Sequence, residues 1–108
     1  MPTIVEVTVN TLGPTPSVTV SPDPVVFQAG VHGPIQWKIT NPAAEGWKFQ
    51  MQGIVIVNPG TEFDQPNGGG TRVFTWNNKH TKPGTYKYAA KVESSTSKAE
   101  IDPQIVNH

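Results

Sequence analysis

The chain contains no cysteine, and this absence excludes several kinds of chemistry at once. Without a thiolate there is no thiol nucleophile, no cysteine-ligated zinc or iron–sulfur cluster, and no disulfide. Because secreted domains of this size often carry a disulfide, we expect a cytoplasmic protein. The first residues also lack a basic segment followed by an apolar one, which predicts that there is no signal peptide.

An excess of charge of either sign is missing as well. Eight basic residues balance eight acidic residues, whereas proteins that bind nucleic acid or anionic lipid usually show a clustered basic excess. The longest apolar run, residues 54–57, is far too short to span a bilayer. We therefore expect neither a nucleic-acid partner nor association with a membrane.

Sequence motifs of common enzymes are absent too. There is no Gly-x-Ser-x-Gly elbow, no Walker loop and no dinucleotide fingerprint. The three glycines at 68–70 are not followed by the lysine that a phosphate-binding loop requires, so we interpret them as a flexible loop tip. The sequence therefore predicts a protein that is not an enzyme and has no cofactor.

Turn-forming residues, in contrast, are abundant. Eleven prolines and ten glycines interrupt segments in which apolar and polar residues alternate. Alternation with this punctuation is typical of strands in a sandwich or barrel. We predict one all-β domain over residues 1–108, a Greek-key β-sandwich of about seven or eight strands.

The phase of the alternation predicts the core, because one face of each strand is buried. The predicted core residues are Ile35, Trp37, Ile39, Phe49, Val55, Val73, Tyr86 and Tyr88. Phe74 has the opposite phase to Val73, so a bulge in this strand would make Phe74 the core residue instead. Gly53 stands before an apolar run and predicts a bulge or a strand crossover.

The longest predicted loop covers residues 58–70 and is the predicted binding segment. Loops of this length without regular structure are often functional, and aromatic residues often anchor protein partners. We predict that Phe63 is such an anchor. The alternative is that Phe63 folds back and caps the core. The candidate contact residues are Phe63, Glu62, Asp64, Gln65 and Asn67.

Metal ligands are the other candidates. His32, His80 and His108 could form a zinc or copper site if they converged, although their spacing does not require it. Asp23 and Asp102 each precede a proline, which is typical of turns and less typical of calcium sites. We therefore predict no metal site.

Residues 83–90, Pro-Gly-Thr-Tyr-Lys-Tyr-Ala-Ala, resemble the penultimate strand of cupredoxin-like and immunoglobulin-like sandwiches. In a cupredoxin the cysteine that binds copper follows such a stretch, and Ala89 or Ala90 stands at the matching place here. The resemblance therefore implies the fold without the blue-copper site.

More of the chain is similar to the DP-EP family of small, one-domain bacterial proteins. The similarity lies in segments 21–24, 35–39, 84–88 and 102–107. The closing Asp102-Pro103 segment also resembles the end of a bacterial inclusion-body family, some members of which act as lectins. Neither family implies a catalytic residue.

Two functions remain open on these grounds. The first is a non-catalytic binding or assembly module with a protein or glycan partner, which includes self-association into a homo-oligomer through an edge strand. The alternative is a cysteine-free, metal-binding relative of the cupredoxins that uses histidine and carboxylate ligands.

Overall fold

The computed structural model describes residues 3–11, 15–41 and 46–108. Within these ranges the chain forms ten strands and no helix. The strands are β1 (Thr3–Asn10), β2 (Ser17–Ser21), β3 (Val25–Phe27), β4 (Gly33–Asn41), β5 (Lys48–Ile56), β6 (Phe63–Asn67), β7 (Val73–Asn78), β8 (Gly84–Glu93), β9 (Lys98–Ile101) and β10 (Gln104–Asn107).

The first sheet has the strand order β2–β1–β4–β7–β6. Strands β1 and β4 run parallel, with Val5 opposite Trp37 and Val7 opposite Ile39, and the other pairs are antiparallel. Cross-strand partners share a face of the sheet, so these four side chains point to the same side. Strand β6 forms one edge of this sheet, and β2 forms the other.

The second sheet has the order β3–β10–β8–β5, and β9 also pairs with β8. Strands β9 and β10 pair with successive parts of β8, on the side away from β5. The peptide bonds before Pro22 and Pro24 are cis, and the Asp23 carboxylate accepts the N–H of Gln104 at 3.2 Å. The two Asp-Pro segments therefore meet in the fold.

The apolar faces of the two mixed sheets share one core, an arrangement consistent with an open sandwich. At its centre the indole of Trp37 in β4 donates a hydrogen bond to the Tyr88 hydroxyl in β8 at 3.1 Å. The two rings also make an edge-to-face contact with centroids 5.3 Å apart. Burial raises the pKa of Tyr88 well above its ordinary value, although the bond from Trp37 opposes this rise. The phenol therefore stays neutral in the core.

Most of the predicted core is confirmed, with a correction in β7. Ile35, Trp37, Ile39, Phe49 and Tyr88 are buried, whereas Val55 and Tyr86 are only half-buried. Val73 was predicted to be buried but is 39 % exposed, while Phe74 is 3 % exposed. The reason is register, because Phe74 lies opposite the inward-pointing Trp37 and Val73 lies opposite Lys38.

The expected irregularity at Gly53 is confirmed as a large bulge. The pairing of β5 with β8 shifts between Phe49 and Ile54. A Cβ on Gly53 would lie 2.6 Å from the Cβ of Phe49, so a larger residue cannot fit there without movement. The described residues contain two more strands than the upper estimate, in part because β6 lies inside the segment predicted to be a loop.

Candidate functional site: an apolar cleft between the sheet edges

The predicted binding segment, residues 58–70, is not an open loop. Its residues 63–67 form β6, which pairs with β7 at the edge of the first sheet. Phe63 is 2 % exposed and packs edge-to-face on Tyr86, with ring centroids 4.9 Å apart. Phe63 is therefore not accessible as predicted, and the alternative of a core cap describes its position, whereas its role as a contact for a partner stays a prediction. Burial of its aromatic ring removes apolar surface from water, which favours this position.

Glu62, the next candidate, is also buried. Its carboxylate accepts hydrogen bonds from the N–H groups of Thr81 at 2.8 Å and Lys82 at 3.1 Å, and from the Thr81 hydroxyl. Burial opposes ionisation, but these bonds and the positive charge of Lys82 outweigh it and lower the pKa of Glu62. Glu62 thus holds the β7–β8 connection in place, and its predicted role as a contact for a partner stays a prediction.

The other three candidates lie nearer the surface. Asp64 accepts a hydrogen bond from the Asn77 amide at 3.1 Å and forms an ion pair with Lys79 at 3.4 Å. Gln65 is exposed and adopts a left-handed conformation with φ of 58°. Asn67 is exposed at the end of β6. Their role as contacts for a partner stays a prediction, and among the five candidates only Asn67 lines the cleft described next.

A cleft opens where β5, at the edge of one sheet, passes β6 and β7 of the other. We call it the β5–β6 cleft, and its volume is about 550 Å³. It leads into the space between the two sheets. Its principal apolar lining residues are Met51, Ile54, Val55, Pro66, Phe74 and Trp76.

Trp76 forms the floor of the cleft in a fixed orientation. Its indole N–H donates to the main-chain oxygen of Ile54 at 2.8 Å, which ties β7 to the edge of β5 across the sheets. The side chain is only half-buried, so part of the ring remains accessible. A large aromatic ring that is already held in place is well suited to bind a ligand at low entropic cost.

The rim of the cleft combines one exposed apolar residue with two amides. Met51 lies on the bulge of β5 and is 78 % exposed, a high value for a residue of its hydrophobicity. The amides belong to Gln52 and Asn67. The described lining includes no ionisable side chain, so the cleft is neutral as well as mainly apolar.

A tight turn over residues 68–71 closes one end of the cleft. Gly70 donates its N–H to the Phe49 carbonyl at 2.9 Å, and the Phe49 N–H donates to the Thr71 carbonyl at 2.8 Å. A Cβ on Gly69 would lie 2.3 Å from the carbonyl oxygen of Met51. Close packing against β5 therefore requires glycine at position 69. A Cβ on Gly68 would instead lie 2.1 Å from the Val73 carbonyl oxygen in β7, and Gly70 adopts a left-handed φ of 81°. This packed turn differs from the flexible tip predicted from sequence.

The histidines do not form a metal centre in the described residues. His80 places one ring nitrogen 2.8 Å from the main-chain oxygen of His108 and the other near that of Val31, so backbone oxygens and not imidazoles surround it. Across residues 3–11, 15–41 and 46–108, no group of three or more His, Asp or Glu side chains could hold a metal ion. In the same ranges, no helix is long and apolar enough to cross a membrane.

Apart from Asn67, the residues that line the cleft were not predicted as a site. Trp76 could have been proposed from the sequence, because it is an aromatic residue near a strand end. To predict the cleft itself, one must know that β5 and β6 are edges of different sheets and lie side by side. The alternation of a single strand contains no information about which strands are edges.

No protein-family model matches the chain, and no curated protein matches its sequence.

Proposed function

We propose that this protein is a non-catalytic binding module and that the β5–β6 cleft is its ligand site. The observation that carries this proposal is a neutral, mainly apolar cleft over a Trp76 ring that is fixed by its bond to Ile54. Its volume of about 550 Å³ lies within the usual range of ligand sites, about 300–1,000 Å³. Such sites combine an apolar lining with a few polar groups that orient the ligand, a role that Gln52 and Asn67 would fill.

The composition of the cleft supports binding without catalysis. Proton transfer and nucleophilic attack need a titratable or nucleophilic side chain within reach of the ligand. The described lining consists of aliphatic, aromatic, proline, glycine and amide residues. Glu62, the buried carboxylate nearest in sequence, is fully engaged with Thr81 and Lys82.

The finer fold assignment is part of the proposal. Neighbouring strands in each sheet are often distant in sequence, as with β1 and β4 or β3 and β10, and this supports a Greek-key sandwich of the cupredoxin-like or immunoglobulin-like kind. Membership of the DP-EP family rests on the sequence segments alone. The alternative of a metal-binding cupredoxin relative has no cluster of ligands to support it within the described residues. We also propose a cytoplasmic location, on the absence of cysteine.

The test compares ligand binding by two matched variants. Met51→Glu adds a negative charge at the rim of the cleft, and Val31→Glu makes the same kind of change at another exposed apolar residue, in the segment between β3 and β4. Both residues are exposed, so both variants should fold normally. The wild type and the two variants are screened against a peptide array and a glycan array.

Ligands that bind the wild type and Val31→Glu but not Met51→Glu support the proposal. Ligands that bind all three proteins equally would place the binding surface elsewhere, and the absence of any ligand on both arrays would count against a recognition function.

A further inference from the structure

We propose that the occupant of the β5–β6 cleft is an uncharged apolar side chain of a protein partner, inserted between the two sheets over Trp76 without strand addition. This inference rests on the proposed function and names its ligand class. Three features of the cleft carry it, namely its charge, the state of the strand edges beside it, and the place of its polar groups.

The first feature is charge complementarity. The chain carries eight basic and eight acidic residues, yet the described lining of the cleft includes none of them. A charged group buried there would lose its hydration and meet no counter-ion, which is strongly unfavourable. A neutral side chain such as proline, leucine or an aromatic would bury apolar surface at no such cost. The cleft therefore selects against charged ligands.

The second feature is that both strand edges beside the cleft are blocked. In β6, Pro66 has no N–H to donate, and Gln65, with φ of 58°, interrupts the extended backbone. In β5, the Ile54 carbonyl is taken by Trp76, while the N–H and carbonyl of Phe49 are taken by the 68–71 turn. An added strand would find no continuous row of donors and acceptors, so side-chain insertion is the available mode.

The third feature distinguishes a peptide from a glycan. Sugars carry hydroxyl groups around the whole ring, and each hydroxyl that is buried needs a hydrogen-bond partner. The floor of the cleft, formed by Ile54, Phe74 and Trp76, is apolar, and the Trp76 N–H is already used. The amides of Gln52 and Asn67 line the cleft and could form hydrogen bonds with the peptide groups that flank an inserted side chain. The lining thus fits an apolar side chain on a polar backbone.

The experiment selects peptides from a random-sequence phage library on the intact wild-type protein and measures the affinity of the enriched peptides by calorimetry. We expect enrichment of uncharged peptides with one apolar residue in common. Replacing that residue by lysine, or using Met51→Glu as the target, should weaken binding by about tenfold or more, as for an interface hot spot. Val31→Glu should bind as the wild type does, and affinity should not change between low and high salt, because no charges pair.

Several outcomes would overturn the inference. Enrichment of charged peptides, loss of affinity at high salt, or failure to enrich any uncharged peptide would each contradict it. A glycan that binds the wild type but not Met51→Glu would overturn the peptide assignment and leave the cleft as a ligand site. Peptides that bind Met51→Glu and the wild type equally would overturn the proposed function as well.

Discussion

Asn78 and Asn107 exchange two hydrogen bonds between their side-chain amides. The Nδ2 atom of Asn78 donates to Oδ1 of Asn107 at 2.8 Å, and Nδ2 of Asn107 donates to Oδ1 of Asn78 at 3.2 Å. Asn78 ends β7 in the first sheet, and Asn107 ends β10 in the second, so the pair joins the two sheets. Both residues are almost completely buried, at 0 % and 2 % exposed, and Asn107 also approaches the Glu62 carboxylate at 3.5 Å.

The first prediction is that Asn78→Ala destabilises the protein. The change leaves the buried Asn107 oxygen without its donor and the His80 N–H without its acceptor. An unsatisfied buried polar group typically costs about 1–3 kcal/mol, and the lost free energy of unfolding should be of that size or somewhat larger. Urea denaturation measures it directly.

Asn77→Ala is the matched control, because Asn77 is half-buried and its amide donates a hydrogen bond to the partly exposed Asp64 carboxylate. This variant should lose less than about 1 kcal/mol, in line with a partly exposed hydrogen bond. Equal losses in the two variants would show that the Asn78–Asn107 pair has no special role in joining the sheets.

The second prediction concerns Phe63. Because its ring is buried against Tyr86, Phe63→Ala should lower the free energy of unfolding by about 3–5 kcal/mol, the usual range for a large aromatic side chain in a core. Phe63→Leu keeps most of the apolar volume and should cost clearly less. Thermal and urea unfolding would measure both changes. A Phe63→Ala protein as stable as the wild type would restore the view of Phe63 as an accessible residue.

Alternation predicted much of the core correctly, and the exceptions have local causes. In β4, residues 35–39 alternate without interruption, and their inward phase follows directly. In β7 the alternation of apolar residues is ambiguous, since Val73, Phe74 and Trp76 are all apolar. The pairing of Phe74 with Trp37 decides the phase, and a pairing between distant strands cannot be read from one strand's sequence.

The loop predicted over residues 58–70 differs from the structure for a related reason, since residues 63–67 form β6. Residues 58–70 contain two prolines and four glycines, which favour a loop, and β6 contains Pro66. Tertiary contacts override that local preference, because Phe63 gains a buried site and Glu62 gains its hydrogen bonds only when β6 lies beside β7. The edge position of β6 is also what tolerates the proline. The cleft arises from the same arrangement and has no signature within a single segment.

The third prediction is that Gly69→Ala disturbs the wall of the cleft. An added Cβ would lie 2.3 Å from the Met51 carbonyl oxygen and 2.8 Å from its Cα, so the turn or β5 must move. We expect a loss of about 1–3 kcal/mol, the usual cost of overpacking. Gly84→Ala is the control, because its Cβ would make an ordinary contact of 3.5 Å with Tyr86. A fully stable Gly69→Ala would mean that the turn does not pack on Met51, and the cleft would lose one wall.

The last prediction is a dependence of stability on pH that originates from Glu62. Hydrogen bonds from Thr81 and Lys82 hold the pKa of the folded carboxyl below its ordinary value of 4.5, despite the opposing effect of burial. The unfolded chain therefore takes up a proton at a higher pH than the folded protein does. It follows that Glu62 contributes its full stabilisation above pH 4.5 and loses it as the pH falls from there through the folded pKa. Glu62→Gln is uncharged at every pH and lacks the stabilisation that the ionised carboxylate provides. It should therefore be less stable than the wild type at neutral pH. The difference should shrink in acid, because the wild type then loses that stabilisation. Urea denaturation of both proteins at a series of pH values measures this. A difference that stays constant, or grows in acid, would show that the ionised carboxylate does not stabilise the β7–β8 connection.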